Sequence, residues 1–91
     1  MTIHILSFST PTCAAYKAIR TVVAATTTAC GFGLVELDAN VEHRLVAMYG
    51  IRKEDMPTLV VLRNGQHAAN ICGPDATKER VAESIRAYRE G

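Results

Sequence analysis

The sequence contains no tryptophan, only three prolines and three cysteines, and no long apolar run. No stretch approaches the roughly 18 consecutive apolar residues that span a bilayer, so we expect no membrane segment. Residues 1–8 carry neither a basic segment nor a small-residue cleavage site, so we expect no secretory signal. An odd number of cysteines does not suit the disulfide framework of a small secreted domain. Together these absences predict a cytoplasmic protein with reduced thiols.

The charges of the chain are nearly balanced, with ten Lys and Arg residues against nine Asp and Glu residues and a formal net charge of +1. This balance does not favour binding of nucleic acid or of an anionic membrane through charge alone. At 91 residues, with 48% hydrophobic and 21% charged residues, the composition is that of one globular domain. We therefore expect a single domain over residues 1–91, monomeric, with neither nucleic acid nor a membrane as partner.

Hydrophobic periodicity and turn residues predict the element order β-α-β-α-β-β-α. Strands are predicted over residues 3–8, 34–37, 58–63 and 66–72. Helices are predicted over residues 14–29, between Asp38 or Asn40 and Gly50, and from Asp75 or Thr77 onward. The first strand is almost continuously apolar, which is typical of a central strand covered on both faces. We expect an α/β domain with a mixed four-stranded sheet and helices on both faces.

The buried face of each predicted helix follows from its apolar spacing. The inward residues are expected to be Ala15, Ile19, Val22, Val23 and Thr26 in the first helix, Val41, Leu45, Met48 and Tyr49 in the second, and Val81, Ile85 and Tyr88 in the third. The pair Gly31 and Gly33 is expected to end the first helix, and Gly73 with Pro74 to end the last strand.

Cys13 has the strongest chemical signal in the sequence. It lies where the first strand ends and the first helix begins, and the free N–H groups and positive dipole end of a helix start favour an anion. A thiolate is such an anion, and it is the nucleophile of thiol–disulfide exchange. Lys17, one turn later, adds a supporting positive charge. The alternative is that Cys13 is an inert, partly exposed cysteine.

The sequence resembles the thioredoxin superfamily over essentially its whole length. Residues 8–17 (FSTPTCAAYK) are similar to both the glutaredoxin and the thioredoxin active-site patterns. Residues 49–52 (YGIR), 56–59 (MPTL) and 63–65 (RNG) resemble thioredoxin segments in order and in spacing. The resemblance implies a thioredoxin-like fold and a cis Pro57; from the residues alone, a cis and a trans bond at this strand start are equally compatible.

The resemblance also implies a groove beside the thiol, in which the backbone of an extended peptide pairs with the backbone at Met56. In this interpretation Cys13 is the catalytic residue. The residues expected to form the substrate groove are Thr12, Tyr16, Met56, Pro57 and Gly73, with Gly73 keeping the groove open.

The sequence departs from the family pattern at several positions. Tyr16 replaces the second cysteine of the active-site motif, so the usual dithiol release of a mixed disulfide is lost. Ser9 and Thr12 stand where thioredoxins have tryptophan, and Ser7 stands where they have a buried aspartate. Residues 53–55 (KED) lengthen the loop before the predicted cis-proline by about two residues.

Two mechanisms are compatible with a single active-site cysteine, and both use a protein disulfide or a glutathione mixed disulfide as substrate. In the first, glutathione acts as co-substrate and resolves the adduct on Cys13, and no cofactor is bound. In the second, Cys72 is the resolving thiol, which requires Cα atoms within roughly 7 Å of each other. No histidine has metal-ligand spacing to a cysteine, so we expect no metal site.

A third alternative belongs to a different class of function. The chain would be a catalytically degenerate binding module that keeps the fold and presents its peptide groove to a protein partner. The missing second cysteine, the missing tryptophans and the missing aspartate all favour this alternative.

Overall fold

The computed structural model describes residues 2–73 and 77–90, and within them the chain forms four strands, three α-helices and one short 3-10 helix. The strands are β1 (Ile3–Ser9), β2 (Gly33–Asp38), β3 (Thr58–Arg63) and β4 (Gln66–Cys72). The helices are α1 (Ala14–Cys30), α2 (His43–Met48) and α3 (Lys78–Glu90), with the 3-10 helix at Lys53–Asp55. This order agrees with the order predicted from the sequence.

The four strands form one mixed sheet in the order β2-β1-β3-β4. β1 runs parallel to β2 and antiparallel to β3, and β3 runs antiparallel to β4. The register pairs Ser9 with Asp38, Phe8 with Thr58, and Thr58 with Cys72. The carboxyl ends of β1, β2 and β4 and the amino end of β3 therefore meet at one end of the sheet.

One face of the sheet is covered by α1 and α3. The buried cluster on this face is formed by Ile3, Ile5, Tyr16, Ile19, Val23, Leu59, Val61, Val81 and Ile85. Each such side chain stabilises the fold by about 1.5–3 kcal/mol relative to an exposed one. In α1, Tyr16 and Thr27 are buried in addition to the predicted Ile19, Val23 and Thr26, while Ala15 and Val22 are half-buried.

The opposite face carries a smaller cluster of Phe8, Ile51 and Val60, against which Leu45, Val46 and Tyr49 pack. Helices thus lie on both faces of the sheet, as predicted. The prediction that Val41 and Met48 point inward is wrong, because their exposed fractions are 67% and 62%.

The error at α2 has a local cause. Asp38 accepts a hydrogen bond from the Asn40 N–H through Oδ1 at 2.8 Å, and its carbonyl accepts from the N–H groups of Val41 and Glu42. This turn occupies the residues expected to begin the helix, so α2 starts only at His43 and Val41 lies outside it. At about 100° per residue, Met48 then points roughly 100° away from the centre of the face formed by residues 45, 46 and 49.

The ends of the other helices follow the predicted signals. Gly31 adopts the left-handed conformation, with φ of 73°, and its N–H donates to the Thr28 carbonyl at 3.1 Å, which ends α1. Thr77 begins α3, because its Oγ1 accepts a hydrogen bond from the Arg80 N–H at 3.2 Å. The alternative start at Asp75, and Pro74, lie outside the described residues. Across residues 2–73 and 77–90, no helix combines the length and the apolar character that crossing a bilayer requires.

Candidate functional site

The turn between β1 and α1 places Cys13 at the start of the helix. The Cys13 N–H donates to the Thr10 carbonyl at 3.0 Å, which closes the turn, and the Cys13 carbonyl accepts from the Lys17 N–H at 3.2 Å. Cys13 is the N-cap residue of the 17-residue α1, and no acidic side chain lies in the first turn. It is a free cysteine, half-buried and packed against the larger core cluster. The amino end of α1, where backbone N–H groups lack helical partners, therefore lies at this cysteine.

A second segment of the site precedes β3. The Met56–Pro57 peptide bond is cis, and Pro57 is buried. The Gly73 N–H faces the carbonyls of Asp55, at 3.2 Å, and Pro57, at 3.4 Å, so the end of β4 is tied to the proline loop. This contact places two of the predicted groove residues, Pro57 and Gly73, next to each other.

The sheet register brings these two segments to the same end of the molecule, because Phe8, just before the Cys13 turn, pairs with Thr58, just after Pro57. Within the described residues no hydrogen bond joins Cys13 to the proline loop, so the groove between them stays a prediction. The backbone of Cys72 pairs with Thr58. The Cys72 side chain lies outside the described part of the chain, and its role as resolving thiol stays a prediction too.

Tyr16, which the resemblance places at the position of the second cysteine, is part of the core. Its side chain is 6% exposed, and its hydroxyl donates to Glu36 Oε2 at 3.1 Å. Arg20 holds the same carboxylate, with Nε at 3.0 Å from Oε2 and Nη2 at 3.4 Å from Oε1. Tyr16 therefore belongs to the larger core cluster and links α1 to β2, whereas Thr12 and Lys17 are exposed.

Burial raises the pKa of Tyr16 above its ordinary value of 10.0, and the Glu36 carboxylate raises this pKa further. The Ser7 hydroxyl and the Arg20 guanidinium act in the opposite direction. Ser7 is itself fully buried, and its Oγ has no hydrogen bond of good geometry among the described residues. The neutral phenol is thus the form that the fold stabilises.

The raised pKa of Tyr16 predicts a loss of stability at alkaline pH. Below pH 10 the phenol is neutral in both the folded and the unfolded chain, and its stabilising contribution is complete. As the pH rises above 10 the unfolded chain loses this proton first, so the free energy of unfolding falls until the pH passes the folded pKa. Urea unfolding at pH 8 and pH 10.5 should show this decrease, and Tyr16→Phe should reduce it.

Tyr88→Phe is the matched control, because it removes a hydroxyl from a half-buried tyrosine whose ring packs against Arg63. It should leave the alkaline loss of stability unchanged. If Tyr16→Phe and Tyr88→Phe behave alike, Tyr16 is not the source of the pH dependence.

Two residues of this site, Glu36 and Arg20, were not predicted from the sequence. The signal for Arg20 was its position one helical turn after Tyr16. The signal for Glu36 was a carboxylate within an otherwise apolar strand segment, 34–37 (LVEL). The described residues contain no group of three or more His, Cys, Asp or Glu side chains arranged to hold a metal ion.

The element order, the sheet order and a cysteine at the amino end of α1 define a protein of the thioredoxin fold. The chain belongs to the thioredoxin family, because the thioredoxin family model matches residues 1–87. Among curated proteins no sequence matches this chain.

Solved structures agree with this assignment. A mutant thioredoxin from Halobacterium salinarum has a TM-score of 0.83 at 20% identity, covering 98% of this chain and 76% of that one. The oxidised thioredoxin of Plasmodium falciparum has a TM-score of 0.81 at 19% identity, covering 96% and 81%. Malassezia sympodialis thioredoxin has a TM-score of 0.81 at 24% identity, covering 97% and 76%. At these identities the likeness establishes the fold.

Proposed function

We propose that the protein catalyses thiol–disulfide exchange with Cys13 as its single nucleophile. The observation that carries the proposal is the position of Cys13, a free, half-buried thiol at the N-cap of a 17-residue helix. Free N–H groups at the start of a helix favour an anion, and the thiolate is the reactive form of a cysteine. Membership of the thioredoxin family supports a disulfide as the substrate.

The reaction proceeds through two displacements at sulfur. The Cys13 thiolate attacks one sulfur of a disulfide RS–SR′, a Cys13–S–S–R bond forms, and R′S⁻ leaves and takes up a proton. The thiolate of a second molecule then attacks the sulfur that belongs to R in this mixed disulfide. A new disulfide forms between the second molecule and R, and the Cys13 thiolate is released. Thiols and disulfides are equal in number before and after each step, so no other oxidant or reductant is consumed.

The second thiol in this proposal comes from outside the chain. Tyr16 occupies the place of the usual resolving cysteine, and its hydroxyl is engaged with Glu36. Glutathione is the co-substrate that we propose for this step, with a protein disulfide or a glutathione mixed disulfide as the first substrate. A reducing compartment supplies such a thiol, so we propose that the protein acts in the cytoplasm. We also propose that it acts as a monomer.

Replacing Cys13 with serine tests the proposal. With a peptide–glutathione mixed disulfide and reduced glutathione at pH 7, we expect Cys13→Ser to lose all exchange above the uncatalysed rate. Exchange is followed by mass spectrometry of the substrate and of the adduct on the protein.

Cys30→Ser is the matched control, since Cys30 is a free, half-buried cysteine at the opposite end of α1. It should retain the wild-type rate. A wild-type rate no higher than that of Cys13→Ser would refute catalysis, and the protein would then be a binding module that has kept the fold.

A further inference from the structure

A cavity of about 500 Å³ opens beside the turn that carries Cys13. It lies between this turn, the residues around α2 and the segment before Pro57. The lining residues used below are Thr10, His43, Val46, Ile51, Lys53 and Met56. None of them was predicted to bind substrate except Met56.

The cavity lies within reach of a substrate held at Cys13. Thr10 lines the cavity, and its carbonyl accepts the Cys13 N–H at 3.0 Å, so the Cα atoms of these two residues are within roughly 7 Å of each other. Met56 lines it from the other side and is joined to Pro57 by the cis bond. A peptide that places its sulfur at Cys13 and its backbone beside Met56 has its neighbouring side chains at this cavity.

The polar side chains of the lining are those of Thr10, Asn40, His43 and Lys53, and the Lys53 ammonium supplies its positive charge. Lys53 belongs to the 3-10 helix Lys53–Asp55, and its neighbours Glu54 and Asp55 both face Arg52, with oxygens 3.8 and 2.9 Å from Arg52 Nε. Among the described residues no carboxylate forms an ion pair with Lys53 or His43, and no carboxylate lines the cavity. The Lys53 ammonium is thus available to an anion from outside the chain.

Another part of the lining is apolar, with Val46 and Met56 half-buried and Ile51 buried. An occupant that suits both parts carries a carboxylate next to an apolar group. We propose that this cavity selects disulfide substrates in which an acidic residue and an apolar residue flank the half-cystine, with the carboxylate at Lys53. This inference deepens the proposed function and rests on it for the role of the cavity in exchange.

Matched substrates test the inference. Three peptide mixed disulfides differ only in the residue next to the half-cystine, which is Glu, Gln or Lys. At low salt we expect kcat/KM to fall from Glu to Gln to Lys by about two- to fivefold per step, the range of a single exposed ion pair. The differences should vanish near 1 M salt, where the Debye length is about 3 Å. The rate with glutathione disulfide is measured as well, because it shows whether the carboxylates of this tripeptide bind at the same site.

Variants assign the selectivity to the cavity. Lys53→Gln should remove the preference for Glu, whereas Lys78→Gln, which removes an exposed lysine at the start of α3, should leave it intact. Equal rates for the three peptides in the wild type, or a preference that survives Lys53→Gln, would overturn the inference.

A binding measurement separates failure of the cavity from failure of catalysis. S-methylated versions of the three peptides are titrated into the protein, and the NMR signals of the methyl groups of Val46, Ile51 and Met56 are followed. Shifts that depend on the acidic residue and on Lys53, in a protein that shows no Cys13-dependent exchange, would support the cavity and refute the proposed function. Cys13-dependent exchange without such shifts and without charge preference would support the proposed function and refute the role of the cavity.

Discussion

Replacing Tyr16 with cysteine is expected to give the protein its own resolving thiol. In the wild type, a mixed disulfide on Cys13 should persist until an external thiol arrives. In Tyr16→Cys the new thiol should attack the Cys13 sulfur, release the substrate as a thiol and leave a disulfide within the chain. The mass of the oxidised variant falls by about two units, for the two hydrogens lost.

The position of Tyr16 in α1 is the reason for this expectation. Cys13 is the N-cap and Tyr16 is the third helical residue, and side chains three residues apart in a helix have Cβ atoms about 5–6 Å apart. A small local movement brings this to the roughly 3.5–4.5 Å of a disulfide. An intramolecular thiol at this distance acts at an effective concentration of millimolar or more, so release requires no added thiol.

Tyr16→Ser is the matched control for this experiment. It removes the same buried ring and the same hydrogen bond to Glu36 but supplies no thiol. We expect its mixed disulfide to persist in the absence of glutathione. The mixed disulfide of Tyr16→Cys should be lost at a rate at least about tenfold higher. Equal lifetimes in the two variants would show that Cys13 does not face residue 16 in the reacting state.

Replacing Phe8 with alanine is expected to cost about 3–5 kcal/mol of unfolding free energy. Phe8 is fully buried, packs with Ile51 and Val60, and has its ring centroid 6.2 Å from that of Tyr49. A chain of this length has a total stability of about 5–13 kcal/mol. The loss is therefore about a quarter of the total or more, and urea unfolding measures it directly.

Val41→Ala is the control for Phe8→Ala. It also truncates an apolar side chain, but Val41 is 67% exposed, so we expect a change within about 0.5 kcal/mol. Similar losses in the two variants would contradict the placement of Phe8 in the smaller core cluster. The comparison also checks the correction at α2, because the sequence pattern alone places Val41 inside.

Local patterns explain which parts of the fold were predictable. The apolar run of β1, the glycine end of α1 and the two-residue link between β3 and β4 are each specified by neighbouring residues, and each lies where expected. The start of α2 was missed because the Asp38 side chain and carbonyl form a turn that competes with the helix. The spacing of apolar residues carries no information about this competition.

The candidate site also has one part that the sequence predicts and another part that it does not. Cys13 was predictable because its setting depends on the strand and helix that adjoin it in sequence. The contact of Tyr16 with Glu36 spans 20 residues and depends on how α1 packs against the pairing of β1 with β2. The cavity at Lys53 likewise combines three segments that only the folded chain brings together.

The two edge strands of the sheet, β2 and β4, also affect the tendency of the protein to aggregate at high concentration. On β4 the pairing with β3 shifts between Val61 and Leu62, which leaves Ala68 without a partner and makes a bulge. On β2 the exposed Glu36 places a charge on the strand, with Arg20 beside it. Bulges and charges at sheet edges hinder strand-to-strand joining, so both edges of this sheet resist the growth of β-aggregates.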